Sequence, residues 1–424
     1  MTSFQTRPSP AAPLAVAMPT LNQIQWLPEA VASVLEQGSP GTELWVQDGG
    51  SSDGTPALLH ALASRHPGLR WVSEPDTGPA QALNRVFSRM LARSHAPVFG
   101  WLNSDDLYAP GAAERALTWL QHQPEAVMVY GEAEHIDAQG RNLGRYPTRP
   151  PEQPVDDWRD GCHICQPSVF MRRELLQQLL PLDEALRTAF DYELWLRVLT
   201  RYAGRVGFVP EVQAMSRVHE ATITGTQRLA VALEALQIIH RHLGPAPPHW
   251  LLTYADEWLA TLPGSCPPGE RPQAHLQHCV ERAAAWLEPG AAAALGQRFA
   301  DHRALQLATD ELCAPVHADG WTAARQPLHC RPLRSGWRTL RLWGRHASPG
   351  ALRLNWASPQ GSQLLLTAPA PGPISVEFQL QVQAQVLQTW WLQRDDGGFV
   401  PSRDTPPSDD RRALGFVLEG MVLS

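Results

Sequence analysis

The sequence contains no lysine: all 35 of its Lys/Arg positions are arginine. A Schiff-base lysine and a phosphate-loop lysine are therefore excluded. Asparagine is scarce as well, with five in 424 residues, yet Asn22, Asn84 and Asn103 all fall in the segments that carry the motifs below. No apolar run approaches the ~20 residues of a membrane span. The first residues, Met1 to Pro13, hold no signal-type apolar core, and positions 1–12 read as a short disordered tail. There is no basic excess either; a formal charge of −7 argues against a nucleic-acid partner. Of six cysteines only Cys162 and Cys165 stand at metal-type spacing, and no second pair completes a zinc site. Buried thiols in a reducing compartment are the better reading. The expectation is a cytoplasmic chain, compatible with peripheral contact at the inner membrane face. With 43% hydrophobic and 18% charged residues it has enough apolar side chains for sizeable cores.

What is present is organised around Val98 to Asp106, V-F-G-W-L-N-S-D-D. An apolar run of strand type ends on two adjacent carboxylates. Asp is a common turn residue, so the acids could be a solvated turn. Alternatively they hold a divalent cation through oxygen ligands, and such ions commonly hold substrate phosphates too. The preceding chain favours the second reading. Leu14–Met18, Glu43–Gln47 and Leu69–Ser73 read as strands alternating with helices, the sign of parallel α/β connections. Three strand ends meet an acid: Asp48, Asp76 and Asp105/Asp106. Right-handed crossovers bring those ends to one edge of one sheet, where ligands bind in open α/β folds. Thr55 reads as an N-cap and Pro56 as the first residue of a helix. Further on, Asp191 opens a helix through Leu194, Trp195, Val198 and Leu199, and as an N-cap it would serve structure alone. A strand around Val206–Val209 then leads to Arg217-Val218-His219.

These segments together resemble the family-2 glycosyltransferases. They are Pro19-Thr20-Leu21-Asn22, Gln47-Asp48-Gly49-Gly50-Ser51-Ser52-Asp53-Gly54-Thr55, Ser73 to Gly78, Trp101 to Asp106, Gln166-Pro167-Ser168 and Asp191 to Arg197, in family order over about half the chain. The resemblance implies a GT-A nucleotide-diphospho-sugar transferase domain, an αβα sandwich with a mostly parallel sheet, over residues 13–225. It implies roles as well. Pro19, Thr20, Asn22, Asp48, Gly49, Ser52, Asp76, Asn84, Asn103 and Asp105 would serve the nucleotide sugar. Asp48 would accept the imide N–H of uracil, and could equally accept guanine donors, so a UDP-sugar is favoured with a GDP-sugar still open. Asp106 would ligate Mn2+ or Mg2+, joined by His219 unless that histidine is structural. Asp191 would deprotonate the acceptor hydroxyl, with inversion at the anomeric carbon. Two departures stand out. Gln81 occupies a position where the nearest subgroup has an acid, and Asn103 replaces the first acid of a D-x-D. The Q-x-x-R-W motif of processive synthases is missing, which implies transfer of a single sugar to a glycan or lipid-linked acceptor in bacterial surface-polysaccharide or glycoconjugate synthesis.

Residues 226–325 keep helical spacing between Pro/Gly breaks and carry no chemical motif; they read as a helical extension. From 326 to 424 the signal is β. Ile374, Val376, Phe378, Leu380 and Val382 alternate with polar residues, as in a half-buried antiparallel strand. A β-sandwich of usual size is expected. Its tryptophans, Trp343, Trp356, Trp390 and Trp391, could stack on sugar rings, although most suit a core. Two rival functions remain at this level: a sugar-phosphate nucleotidyltransferase, against which stands the missing Gly-rich Arg/Lys loop, and a non-catalytic carbohydrate-binding protein, against which stand the intact Asp48, Asp106 and Asp191.

Overall fold

The computed structural model describes residues 13–36, 41–261, 271–317, 319–359, 361–401 and 410–424. The tail expected over 1–12 lies outside them. The chain divides into two compact units, Met1–Ala246 and Pro247–Ser424.

The first unit alternates strands and helices as its apolar pattern requires. Its order is β1 (Leu14–Thr20), α1 (Leu27–Leu35), β2 (Glu43–Asp48), α2 (Thr55–Arg65), β3 (Leu69–Ser73), α3 (Pro79–Arg93), β4 (Val98–Trp101), β5 (Leu107–Tyr108), α4 (Ala112–His122), β6 (Met128–Ile136), β7 (Asn142–Arg145), β8 (Phe170–Arg172), α5 (Arg173–Leu179), α6 (Phe190–Arg201), β9 (Val206–Arg217), α7 (Ile223–Thr226) and α8 (Arg228–Leu243). The sheet runs β3-β2-β1-β4-β8-β6-β9-β5, with β7 paired to β6. The β3-β2-β1-β4 half is parallel, as is β6-β9; β8 and β5 join antiparallel. This is the GT-A arrangement, mixed rather than purely parallel. All seven residues of β1 are buried, as befits a strand covered on both faces. α1 and α3 carry Pro in their first turns and pack Leu27, Ala30 and Val31 or Leu83, Val86, Phe87 and Met90 inward.

Three local expectations shift. Thr55 is the first residue of α2 rather than its cap; the Asp53 carboxylate accepts its N–H at 3.0 Å. The strand expected near Val206–Val209 continues to Arg217, and this length carries His219 back to the acidic strand end. Asp191 sits inside the first turn of α6, whose N-cap is Ala189, so it is not the cap.

Of the helices read as an extension, α8 lies in the first unit. The second holds α9 (His249–Thr261), α10 (Pro272–Ala283), α11 (Ala291–Asp301) and α12 (Arg303–Leu307). Its strands are β10 (Leu312–Cys313), β11 (Trp321–Ala323), β12 (Arg325–Cys330), β13 (Gly336–His346), β14 (Leu352–Ser358), β15 (Gly361–Ala368), β16 (Gly372–Val382), β17 (Gln388–Arg394) and β18 (Leu414–Leu423). They form two antiparallel sheets, β10-β12-β17-β14-β15 and β11-β18-β13-β16, the expected β-sandwich. Trp356 and Trp390 are buried at 5.1 Å from each other, and Trp356 meets Phe378 of the facing sheet edge-on. Trp343 faces outward, half-exposed.

Candidate active site

The C-terminal ends of β1 and β4, the start of α6 and the segment after β9 enclose a cleft of about 410 Å³. Among its lining residues are Pro19, Thr20, Asp76, Asn103, Asp105, Asp106 and Asp191. The parallel half of the sheet delivers the first six, because its strands all end on this edge. α6 delivers Asp191 from more than eighty positions further along the chain.

Asp106 is buried at the centre. Its Oδ1 accepts the main-chain N–H of Arg217 at 2.8 Å and its Oδ2 accepts Asn103 Nδ2 at 3.3 Å. Asn103 is itself fixed by the Trp101 indole N–H, donated to its Oδ1 at 3.0 Å. Burial, and then the neighbouring Asp105 charge, hold Asp106 well above the usual carboxylate range; the bonds from Arg217 and Asn103 and the Arg217 charge pull the other way and do not prevail. Asp105 Oδ2 lies 3.1 Å from His219 Nε2. His219 Nδ1 accepts the N–H of Ala221 at 3.3 Å, so Nε2 carries the proton and donates it to Asp105. The imidazole rests on Trp26, with ring centroids 4.2 Å apart.

Asp191 opens onto the same cleft. Burial pushes its carboxyl up to about 6, helped by the Glu234 charge and opposed by main-chain hydrogen bonds. Beside it Phe190 stacks on Trp101 at 5.7 Å. Asp76 is also raised by burial, against the Gly78 N–H that its Oδ1 accepts at 3.0 Å. Gly49 makes this placement possible: a Cβ there would stand 2.7 Å from Asp76 Oδ2.

Other sequence-expected positions shape the walls instead. Asp48 is fully buried and accepts the N–H and hydroxyl of Ser51 and the hydroxyl of Ser73. A base N–H would have to displace one of those hydroxyls to reach it. Asn22, held at φ 53°, accepts Ser52 N–H at 2.9 Å and donates its own N–H to Ser51 Oγ at 2.7 Å, which ties the β1 loop to the β2 loop. Asn84 exchanges two bonds with Leu182, and with Gln81 it also donates to Glu184. Gln81 thus braces a loop against α3.

The chain's own cation at this edge is Arg217, which the sequence reading passed over. It is 4% exposed and donates to the carbonyls of Asp105 (2.8 Å) and Asp137 (3.1 Å) and to Glu29 (2.8 Å). A cation at a strand end beside an acid was the available signal. Among the described residues no group of three or more His, Cys, Asp or Glu side chains is placed to hold a metal ion. What the edge offers is a single buried acid, Asp106, raised for want of positive charge, beside an Asp105–His219 pair bonded to each other. A hard, oxygen-seeking divalent cation suits such an acid when a ligand supplies further oxygens.

A family model described as "Glycosyl transferase family 2" matches residues 15–180. That segment of the first unit is similar to glycosyl transferase family 2. The chain is 27% identical over 226 residues to an uncharacterized glycosyltransferase of Rickettsia typhi, covering 50% of this chain and 66% of that one. It is 24% identical over 188 residues to the chondroitin synthase of Escherichia coli, covering 44% and 26%. The chain therefore spans less than two thirds of the length of these relatives. Among solved structures it is similar to S. aureus TarS 1–349 in complex with UDP-GlcNAc, at 15% identity and a TM-score of 0.49 over 69% of this chain and 90% of that chain.

Proposed function

We propose that this chain is an inverting, metal-dependent glycosyltransferase of family 2. It would move one sugar from a nucleotide-diphosphate sugar to a hydroxyl of a glycan or lipid-linked acceptor. The observation that carries the proposal is that Asp106, short of positive charge, and Asp191, tuned to about 6, line one cleft at the sheet's ligand edge. A carboxyl near 6 is ionised at neutral pH and still basic enough to take a proton. Asp191 would accept the acceptor hydroxyl's proton as that oxygen bonds to the anomeric carbon. The anomeric C–O bond to the diphosphate breaks at the same time, and its electron pair leaves with the diphosphate. Asp106, with Asp105 beside it, would hold Mn2+ or Mg2+; His219 would join them only as the tautomer whose Nε2 has given up its proton and its bond to Asp105. When bound, the ion neutralises charge on the leaving diphosphate. Pro19, Thr20 and Asp76 would border the nucleotide, on walls braced by Asn22, Ser52, Gly49 and Asn84.

A UDP-sugar is the favoured donor and a GDP-sugar the alternative. Bacterial surface-polysaccharide or glycoconjugate synthesis is the proposed context, supported by the names of relatives such as chondroitin synthase and an O-antigen biosynthesis protein of Myxococcus xanthus. No described helix is long and apolar enough to cross a membrane. The cytoplasmic face, with or without peripheral membrane contact, is the proposed location. The test is release of nucleoside diphosphate from a panel of nucleotide sugars with candidate acceptors, with and without Mn2+. Turnover of one donor that depends on both Mn2+ and Asp191 is expected. Turnover in EDTA at the full rate would defeat the metal assignment.

A further inference from the structure

The N-terminal turn of α6 has no cap of its own. Its N-cap is Ala189, whose side chain offers no acceptor. The segment that leads into the helix, up to and including the Ala189 N–H, is instead held by Glu234 of α8. Its Oε1 accepts the N–H of Arg187 at 2.9 Å; its Oε2 accepts the N–H of Thr188 at 2.9 Å, the Thr188 hydroxyl at 2.7 Å and the N–H of Ala189 at 3.0 Å. Four donors from three consecutive residues converge on one carboxylate, immediately before Phe190 and Asp191. Thr188, Phe190 and Asp191 all line the cleft. A carboxylate at a helix N-terminus is also favoured by the peptide dipoles.

The mount is rigid. Ala232, Leu233, Ala235 and Leu236 of α8 are buried. His242 at its end meets Glu193 of α6 at 3.0 Å, and Arg241 holds Asp183 at 2.8 Å. α8 is thus pinned to α6 and to the loop before it, about two turns beyond Glu234. Glu234 lies beyond the residues that match the family model, and no motif marks it.

We propose that Glu234 is the positioning residue for the base. By gathering the 187–189 main chain it sets where Asp191 meets the cleft. The proposal rests on the reading of Asp191 as the base. The Glu234 charge adds a smaller push to the one that burial gives the Asp191 carboxyl. The groups from the described residues that share electrostatic contact with Asp191 are Glu234 from α8, the thiols of Cys162 and Cys165 and the phenol of Tyr146, and none of these is cationic. A misplacement of about 1 Å at a reacting group costs on the order of 100-fold in rate, which is the scale at which such a brace matters.

The experiment uses the full chain, the productive donor from the panel and Mn2+, and measures single-turnover rates across roughly pH 5–9. Binding of UDP with Mn2+ is measured alongside. In Glu234→Gln the amide oxygen can still accept from Thr188 and Ala189, but the charge is gone. Its acid limb should move to lower pH, with UDP affinity within about twofold of the parent. Glu234→Ala removes the brace and should lower the rate about 10- to 100-fold with KM for the donor nearly unchanged. An unmoved acid limb in Glu234→Gln overturns the proposal, whether or not Glu234→Ala folds. So does a rate loss in both variants that only follows the loss of folded protein. Full activity of Asp191→Asn would instead remove the base reading itself. An inactive Asp191→Asn beside Glu234 variants of parental rate and pH profile would remove this proposal alone.

Discussion

Among the described residues each unit of the chain buries one arginine almost completely, and the two are used differently. Arg217, 4% exposed, backs the acidic end of the first sheet. Arg394, 3% exposed, sits at the end of β17 and donates to Ser348 Oγ at 2.8 Å, to the carbonyl of Gly415 in β18 at 3.0 Å and to both oxygens of Asp396. In the second unit the cation therefore sews one sheet to the other, and its acid is satisfied: the Arg394 bond draws Asp396 below the usual carboxylate range. In the first unit the cation spends its donors on main-chain carbonyls and on Glu29, and Asp106 stays raised. A buried arginine does not mark a site. An acid left short of charge beside one does.

The sharpest way to break this contrast is to neutralise the unsatisfied acid. Asp106→Asn keeps an acceptor for the Arg217 N–H but loses the charge. The metal-dependent rate should fall by about 10³ or more, the several kcal/mol that a Lewis-acid cation contributes, while circular dichroism and melting stay native-like. Parental activity in this variant would mean that the charge deficit at Asp106 is incidental.

The next effect concerns the second raised carboxyl. Asp191→Asn should lower transfer by roughly 10²–10⁴, the usual worth of a general base, with donor binding retained. Equal losses of donor affinity and rate would make Asp191 a binding residue.

Much of this was legible in the sequence, for local reasons. β1 and β4 are short apolar runs closed by Pro19-Thr20 or by acids, and β16 alternates without a break, so strand, edge and sheet class followed from periodicity alone. The cleft acids were legible because parallel topology puts strand ends together. What stayed hidden depends on contacts far apart in the chain. The bond from Arg217 N to Asp106 spans 111 positions, and that from Asn84 to Leu182 spans 98. Asn84 looked like a ligand contact because its motif was recognisable; its amide is in fact consumed by a loop. The resemblance gave Asp48 the N–H of a base, and the carboxylate already accepts two serine hydroxyls. Glu234 has no pattern at all: a glutamate on an amphipathic helix is ordinary until α8 is seen to lie against α6.

A smaller effect should separate the two arginines directly. Arg217→Met and Arg394→Met each strand buried carbonyls, at about 1–3 kcal/mol per unsatisfied group, so both should lower the melting temperature. Only Arg217→Met should also slow turnover, by about tenfold, because the Asp105–Asp106 turn loses its clamp. Nucleoside diphosphate affinity in Arg394→Met should equal the parent's. A catalytic loss in Arg394→Met beyond its loss of folded protein would show that the seam of the second unit does more than hold two sheets.

The smallest effect is on stability, and its sign follows from the base. Asp191 sits near 6 in the folded chain, above the ~3.9 of an unfolded aspartate, so the native state binds this proton more tightly. Between about pH 4 and 6 this group makes stability fall as pH rises, and above about 6 its penalty is complete. Asp191→Asn removes an ionisation that the fold disfavours. It should therefore raise unfolding free energy at pH 8 by on the order of 3 kcal/mol, a gain that vanishes below about pH 4. Urea titrations of the parent and Asp191→Asn at several pH values measure the difference. A gain that is the same at every pH would mean that asparagine merely packs better, and that the carboxylate is not strained. A gain confined to the higher pH would show the first unit holding an acid against its preference, while the second unit lets its own acid, Asp396, ionise easily.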